Sequence, residues 1–376
     1  MDDLSRKMVS GHQVDLILLD FSKAFDKVSH SKLLYKLQKY GVKGTTLQWI
    51  NAFLSDRTQS VVLEGEESEH VSVTSGVPQG SVLGPLLFLV YINDLPDNIK
   101  SQVRLFADDT AVYITVNNTQ DSQTLQHDLD LLQKWEATWE MDFNPSKCQV
   151  LHISRSKHPV KCPYTLHGQT LEVVDHAKYL GVDISSNLSW NHHINRTTTS
   201  AGKTLGFLRR NIKTRREDIK QCAYKTLVRP QVEYASTVWS PHTQQSIHKV
   251  EMIQRRAIRW VKHNYSTYDS VTQMQESLGW RSLEQRRADA QVTMFYKIIH
   301  GLVAVPLPAY IEHPKVITRH MHPFSYRQIH AYANYYKYSF FPRAIVLWNR
   351  LPLDIVVLSD LDSFKRGVCR VVHPSY

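Results

Sequence analysis

The chain has 376 residues, 42% of them hydrophobic and 21% charged, with 14 glycines and 15 prolines scattered without repeat. Those totals describe folded domains with cores of their own and exclude collagen-like, low-complexity and disordered classes. Net charge is +10 but unevenly placed: residues 1–185 hold 17 Lys+Arg against 23 Asp+Glu, and residues 186–376 hold 28 against 12. An acidic first half suits carboxylates gathered around metal, and a basic second half suits a polyanion held alongside. The longest apolar stretch, Val82 to Ile92, is broken by Gly84 and Pro85 and is too short to span a bilayer. The N-terminus lacks a signal-peptide shape, and Cys148, Cys162, Cys222 and Cys369 form no Cys-x-x-Cys pair. The expected location is therefore intracellular, nucleus or cytoplasm, with no membrane partner.

Val14 to Asp20 reads as a buried strand. Ser31 to Tyr40 reads as a short amphipathic helix stopped by Gly41, and a second helix follows with Leu47, Ile50, Phe53 and Leu54 on one face. Val61–Leu63 and Val71–Val73 flank a charged turn and are expected to pair as a hairpin. The loop Ser75 to Gly84 opens into Pro85 and the all-apolar run Leu86 to Ile92, which predicts a fully buried helix.

Apolar runs lead into and out of Asp108 and Asp109, placing both acids at the tip of a β-hairpin. A helix from about Thr119 to Met141 carries Leu125, Leu129, Leu132, Trp135 and Trp139 at helical spacing, and Cys148 to Ile153 reads as a further strand. Short strands are expected at Leu171–Val174 and Tyr179–Ile184. Beyond Trp190 the pattern is helical and basic. One helix carries Ile194 to Ile212, and a second carries Ile219, Ala223 and Leu227 and is ended by Pro230. A third carries Ile247 to Val261, and a fourth runs from the cap Ser282 to Ile299 with Gly301 as its stop. His192 and His193 read as exposed positions at a helix start. The segment past Pro306 is rich in Tyr, His and Pro and has no evident role. His320, His322 and His330 lack a cysteine or acid at ligand spacing, which argues against zinc.

Setting aside residues 31–75, the order is strand, helix, two strands, helix, strand, the split β-α-β arrangement of an α+β, ferredoxin-like domain. That topology brings the end of the first strand beside the turn between the two central strands, so Asp20, Asp108 and Asp109 are expected to converge. Three acids so placed are costly to ionise together without a cation, the need of a divalent-metal phosphoryl-transfer site.

Five motifs occur in order: Asp20-Phe-Ser-Lys-Ala-Phe-Asp26, Gly76-Val-Pro-Gln-Gly-Ser-Val-Leu-Gly-Pro85, Phe106-Ala-Asp-Asp109, Asn144-Pro-Ser-Lys147 and Tyr179-Leu-Gly181. As a set they resemble the palm motifs of reverse transcriptases from non-LTR (LINE-like) retrotransposons. The resemblance implies a right-hand polymerase with a palm and partial fingers at residues 1–185, a basic helical thumb-like region at 186–301 and a C-terminal extension at 302–376. It implies RNA-directed DNA polymerisation by two-metal nucleotidyl transfer, with an RNA template, a DNA primer, deoxynucleoside triphosphates and two Mg²⁺ ions; oligomeric state stays open.

Carried over by position, Asp20, Asp108 and Asp109 match the metal-binding triad. Phe25 matches the residue that excludes a sugar 2′-hydroxyl, with a core-packing aromatic as the competing reading. Gln79 and Gly80 match the loop that contacts the nascent base pair and template, against a helix-entry turn that needs glycine for geometry alone. Lys147 matches the lysine that protonates or neutralises pyrophosphate, against an ordinary loop lysine. Tyr179 and Gly181 match the primer-positioning hairpin, and Arg255, Arg256 and Arg259 form a helix face suited to a phosphate backbone.

The first motif strand starts almost at once after Met1, where related elements carry a fingers segment. The expectation is a truncated element whose grip on nucleotide is weakened. A catalytically silent remnant that binds RNA or RNA–DNA hybrid is the alternative reading, and an intron-maturase-like partner lacks a recognisable maturase segment here.

Overall fold

The computed structural model describes residues 1–318 and 321–373. They divide into two compact units, Ser10–Leu180 and Met1–Val9 with Gly181–Tyr376. Among the described residues no helix is long and apolar enough to cross a membrane. The chain opens with a helix that the sequence reading passed over, α1 (Asp2–Val9), which belongs to the second unit.

The first unit is built on β1 (Gln13–Leu19), every residue of which is buried. After it come α2 (His30–Lys39), α3 (Gly44–Leu54) and the short strands β2 (Arg57–Gln59), β3 (Val62–Leu63), β4 (Glu66–Glu67) and β5 (Val71–Val73). Next are α4 (Leu83–Ile92), β6 (Gln102–Phe106), β7 (Asp109–Val116), α5 (Thr119–Trp139) and β8 (Gln149–Ile153). The two-residue strands β9 (Thr165–Leu166), β10 (Gln169–Thr170) and β11 (Glu172–Val173) follow. The main sheet runs β11-β8-β1-β7-β6, antiparallel except for the parallel edge pair of β11 and β8. Its four long strands are in the order fourth, first, third, second, the split β-α-β topology expected from the element order.

Residues directly opposite across an antiparallel pair share a face, so the register sorts the sheet into two sides. Ile17, Leu19, Val112 and Val150 point to one side and form a core with Leu87, Phe88 and Tyr91 of α4 and Leu125, Leu129 and Leu132 of α5. Leu16, Leu18, Ala111 and Tyr113 point to the other. Helix α5 starts at a complete capping box: Asn118 accepts from the amides of Gln120 and Asp121, and Asp121 caps in return.

Three local expectations are corrected. Val71–Val73 pairs with Arg57–Gln59, whereas Val62–Leu63 pairs with Glu66–Glu67. Glu64 and Gly65 both have positive φ (53° and 94°), making a two-residue hairpin turn that closes the nearer strands before the longer loop can. Helix α4 is not buried all round, since Leu86 is 55% and Leu89 47% exposed. The stretch Tyr179–Ile184 is not one strand: it breaks at Leu180 and Gly181, both at positive φ, between the strands His176–Tyr179 and Val182–Ser185.

The second unit is helical. Helices α6 (Asn191–Asn211), α7 (Glu217–Ala223), α8 (Arg229–Glu233), α9 (Ser236–Trp239), α10 (Gln244–Val261) and α11 (Val271–Ser277) surround a core that includes Leu205, Tyr224, Val232, Trp239, Ile253 and Ile258. A second core joins α12 (Leu283–Ile299), α13 (Asn334–Lys337), α14 (Phe340–Trp348), α15 (Leu353–Val356) and α16 (Leu361–Val368) through Phe295, Tyr296, Trp348 and Phe364. Pro230 does not end the helix before it. A π-turn at Tyr224–Val228 runs on into α8, where the proline occupies the first turn and gives up no needed N–H. The guanidinium of Arg6 lies 4.0 Å from the centroid of the Tyr310 ring, and the Tyr310 hydroxyl donates to Asp2 Oδ2 at 2.7 Å. Those contacts fasten α1 to the segment past Pro306.

One buried cation ties three helices of the first unit. Lys36 of α2, 3% exposed, donates to Asp94 Oδ1 at 2.5 Å and to the Tyr91 carbonyl, with its ammonium 3.6 Å from the Trp139 ring centroid. Trp135 Nε1 donates to the same Asp94 oxygen at 2.9 Å. Desolvation lowers the Lys36 pKa, and Asp94 opposes that shift. Lys36→Met keeps the stem but leaves Asp94 and the carbonyl without their cation. It is expected to destabilise the first unit by about 2–4 kcal/mol, read as an earlier transition in tryptophan-monitored urea unfolding.

Candidate active site

The ladder between β1 and β7 ends at Leu19↔Thr110, so the next facing positions are Asp20 and Asp109. Directly opposite residues on antiparallel strands lie about 4.5–5.5 Å apart and share a face. Asp20 and Asp109 therefore stand together on the side away from α4 and α5. Asp108 occupies the two-residue turn between the paired Phe106 and Asp109. The other turn residue, Ala107, has φ 50°. That left-handed conformation costs a non-glycine residue about 1–2 kcal/mol and persists because both strands fix the turn.

Asp109 is held above the ordinary carboxylate value of 3.8, first by desolvation and then by the charges of Asp108 and Asp20. The three acids thus act on one another, as the topology predicts. Asp20 Oδ2 is sealed from solvent and accepts no hydrogen bond, although its side chain is 41% exposed overall. Its nearest counter-charge is Lys147 Nζ at 3.2 Å. Among the described residues no group of three or more His, Cys, Asp or Glu is drawn tightly enough to hold a metal ion. The trio is gathered but is not a closed cage. Three neighbouring carboxylates sharing one lysine are a donor set that fits Mg²⁺, which takes one or two carboxylates and completes its shell with water and substrate phosphates.

Lys147 reaches Asp20 because the loop carrying it is pinned to the end of β1. The Asn144 amide donates to the Asp20 carbonyl at 2.7 Å, and the Asn144 side chain accepts from Ser146 N and Oγ at 3.2 and 2.7 Å. Phe21 and Phe143 bridge and stack at 4.3 Å. Asn144 has no part in the sequence reading beyond its motif, yet it orients both partners of this ion pair.

The loop of Gln79 and Gly80 lies on the backbone of residues 25–28. The amides of Gly76 and Val77 donate to the carbonyls of Val28 and Phe25, each at 2.8 Å. Gly76 has φ 88°, and a Cβ there would meet the Asp26 carbonyl oxygen at 2.8 Å. Glycine is required at that position for space as well as for conformation. Gln79 Nε2 donates to Asp26 Oδ1 at 2.8 Å, so Asp26 positions the glutamine. Its signal in sequence is the second acid of the first motif. Gly80 has φ 83° with open space around it, so conformation alone explains its type. Phe25 is half-buried and stacks on Phe88 at 4.3 Å.

Tyr179 keeps its proton above the usual phenol range through burial, reinforced by Asp109 and opposed by Arg104. Arg104 and Phe106 share the acids' face through the pairs Arg104↔Ala111 and Phe106↔Asp109. Phe106 is 64% exposed. The sequence reading missed both, although their alternation in phase with Asp109 was visible. Gly181 has φ 79°, and a Cβ there would come 3.0 Å from Tyr234 Cε1.

His193 is buried, not exposed: its Nδ1 lies 3.2 Å from Asp183 Oδ2, which Arg196 Nε also reaches at 2.5 Å. Arg255, Arg256 and Arg259 all lie on α10, with Arg256 exposed and the other two half-buried. Arg256 lines a groove against α6, and Arg259 donates to the Ser266 carbonyl at 2.5 Å. His320 lies outside the described residues, His322 is buried with Nε2 3.1 Å from the Trp348 carbonyl, and His330 is exposed.

Residues 8–184 match the family model described as reverse transcriptase (RNA-dependent DNA polymerase). The chain is 30% identical over 265 residues to a probable RNA-directed DNA polymerase from transposon BS of Drosophila melanogaster, covering 65% of this chain and 28% of that protein. It is 28% identical over 254 residues to the RNA-directed DNA polymerase from mobile element jockey of the same fly, covering 64% and 27%. The chain therefore spans little more than a quarter of these relatives. Among solved structures, apo telomerase from Candida tropicalis is similar at 13% identity and a TM-score of 0.41, over 79% of this chain and 47% of that one.

The mutual repulsion of the acids sets a stability test. Asp109 has a folded-state pKa above its unfolded value, so its ionised form costs stability at neutral pH. That cost shrinks as pH falls through the raised pKa and vanishes below the unfolded one. Asp109→Asn is expected to raise Tm in EDTA at pH 7, by about 1–3 °C, with the gain disappearing by about pH 3.5. Differential scanning fluorimetry against pH checks both the sign and the direction.

Proposed function

From the reverse transcriptase domain at residues 8–184, we propose that the chain is an RNA-directed DNA polymerase of the non-LTR retrotransposon type. The observation that carries the proposal is the β1–β7 register, which sets Asp20 and Asp109 opposite each other with Asp108 one residue away. In this reading residues 1–185 are palm with partial fingers, 186–301 are thumb and 302–376 are an extension.

The substrates are an RNA template, a DNA primer and deoxynucleoside triphosphates. The primer 3′-hydroxyl gives its proton to solvent as its oxygen attacks the α-phosphorus, the bond to the bridging oxygen breaks, and pyrophosphate leaves with that electron pair. Asp20, Asp108 and Asp109 would hold two Mg²⁺ ions, which lower the pKa of the 3′-hydroxyl and neutralise the triphosphate. Lys147 sits 3.2 Å from Asp20, close enough for its ammonium to turn toward the departing pyrophosphate and donate a proton or charge there. Phe25, braced on Phe88, would exclude a 2′-hydroxyl by contact. Gln79, held by Asp26, and Gly80 would meet the nascent base pair and template strand. Tyr179 and Gly181 would position the primer, and Arg256 would meet a phosphate backbone.

Purified protein with Mg²⁺ is expected to extend oligo(dT) on poly(rA). Asp108→Ala should lower extension by at least about 10³-fold and Lys147→Ala by about 10²-fold. Phe25→Ala should relax discrimination against ribonucleotides while leaving deoxynucleotide incorporation measurable. Extension surviving Asp108→Ala would refute the assignment. A protein that binds RNA–DNA hybrid yet incorporates nothing under any metal would instead be the silent binder.

A further inference from the structure

A groove of about 590 Å³ runs between α6 and α10, lined by Lys203, Arg210, Lys249 and Arg256 over a floor that includes Gly202 and Gly206. His248 adds a fifth basic side chain to the lining, and none of its residues is acidic. The two helices run in the same direction: Ser246 Oγ reaches Asn191 Oδ1 at 3.5 Å, and Lys249 Nζ donates to Asn195 Oδ1 at 2.9 Å. On each helix the cations stand seven residues apart, about 10.5 Å along the axis. A stacked nucleic-acid strand, rising about 3.4 Å per phosphate, offers phosphates at both ends of such a span.

The floor decides what can enter. A Cβ on Gly202 would already touch Ile253 Cδ1 at 3.8 Å, so the helices are in contact beneath the groove. Packed helices lie about 8–10 Å apart, so the groove between them is of a width to seat one sugar–phosphate backbone along its length. A Cβ on Gly206 would lie 3.5 Å from Arg210 Nη1, so the guanidinium rests beside that glycine, and a side chain longer than alanine there would compete with it for the space. Phe207, 58% exposed, stands between Lys203 and Arg210 at offsets of four and three residues, on the same helix face. An exposed ring beside a cationic track is the combination that takes a stacked base and a backbone at once.

We propose that this groove binds single-stranded nucleic acid, with consecutive phosphates along Lys203, Arg210, Lys249 and Arg256 and a base stacked on Phe207. The site lies in the second unit and holds whether or not the carboxylate site polymerises, so binding is measured in EDTA, apart from incorporation.

The test uses the full chain and fluorescence anisotropy with 20-mers of dT and rU, a blunt 20-base-pair duplex and poly-glutamate as competitor, across a salt series. Lys203→Ala with Arg256→Ala is expected to flatten the salt dependence for both single strands by about 1.4 in log–log slope. The charge-matched Lys39→Ala with Lys100→Ala should leave that slope unchanged. Phe207→Ala should weaken single-strand binding roughly tenfold, and Phe207→Tyr should restore it. Gly206→Leu should weaken binding without changing any charge, with an unchanged circular dichroism melt showing that the fold is kept. Equal binding of dT and rU marks the shared backbone as the ligand, and a groove-dependent tenfold preference names the strand it takes. Single-strand binding indifferent to the Lys203/Arg256 pair and to Phe207 would overturn the proposal. Tighter groove-dependent binding of the duplex, or displacement by poly-glutamate at equal charge, would overturn it as well.

Discussion

The strand register around β1 is the constraint on which the site depends. Side chains alternate along a strand with a period of two, so a slip of one residue would turn Asp20 into the helix-packed core and Leu19 onto the acids' face. What forbids the slip is apolar: Ile17 and Leu19 have partners in α4 and α5, and Val112 and Val150 flank them from the neighbouring strands. Hydrophobic burial on one side of the sheet thus holds three like charges together on the other. The core side itself carries one acid, Asp15, fully buried. It is satisfied by Gln13 Nε2 at 2.7 Å, His152 Nδ1 at 2.9 Å and the Tyr164 hydroxyl at 2.6 Å. A carboxylate is tolerated on either face, but only the core side surrounds it with donors. Asp20 Oδ2 accepts no hydrogen bond and faces only the Lys147 ammonium at 3.2 Å, one cation for three clustered acids.

Around the carboxylates, positions are set by backbone contacts more than by side chains. Gly76 packs on the carbonyls of residues 25 and 26, and the Asn144 amide takes the Asp20 carbonyl. The buried Glu136 accepts from the Phe143 amide and from His167 Nε2 at 3.1 Å, fixing the turn that leads to Asn144. Backbone-to-backbone docking leaves little slack, which is what a site built from separate loops requires.

Legibility in the sequence followed the range of the interactions. Strand β1, helix α5 and the β6–β7 hairpin were readable because each is decided by apolar period and local turn chemistry. From them the order of the four long strands, and so the meeting of Asp20 with Asp108 and Asp109, could be deduced. The β2–β5 pairing was misread because two residues at positive φ, Glu64 and Gly65, outweigh a hydrophobic match across a longer loop. His193 was misread because its burial depends on contacts with Asp183 and the Trp239 ring, which leave no periodic trace. Nothing in the sequence around Lys36 announces that Tyr91, Asp94, Trp135 and Trp139 converge on it. The groove between α6 and α10 joins residues some 50 positions apart. Only the doublet Gly202 and Gly206 hinted that something would come close.

The two units treat charge in opposite ways. Lys36 is taken out of water, and its charge is matched by Asp94, a carbonyl and aromatic faces, so it is spent on the fold. Of the cations along the α6–α10 groove, Lys249 is engaged with only a neutral amide, and the lining offers no acid to any of them. On the sheet the polarity is reversed: burial first, and then the neighbouring charges of Asp108 and Asp20, hold the Asp109 carboxyl above its ordinary value. Arranging unpaired charge in this way is unfavourable within the chain alone. It becomes favourable when cations neutralise the acids and a polyanion neutralises the groove. On the readings proposed above, magnesium would supply the first and a nucleic-acid backbone the second, each at its own unit.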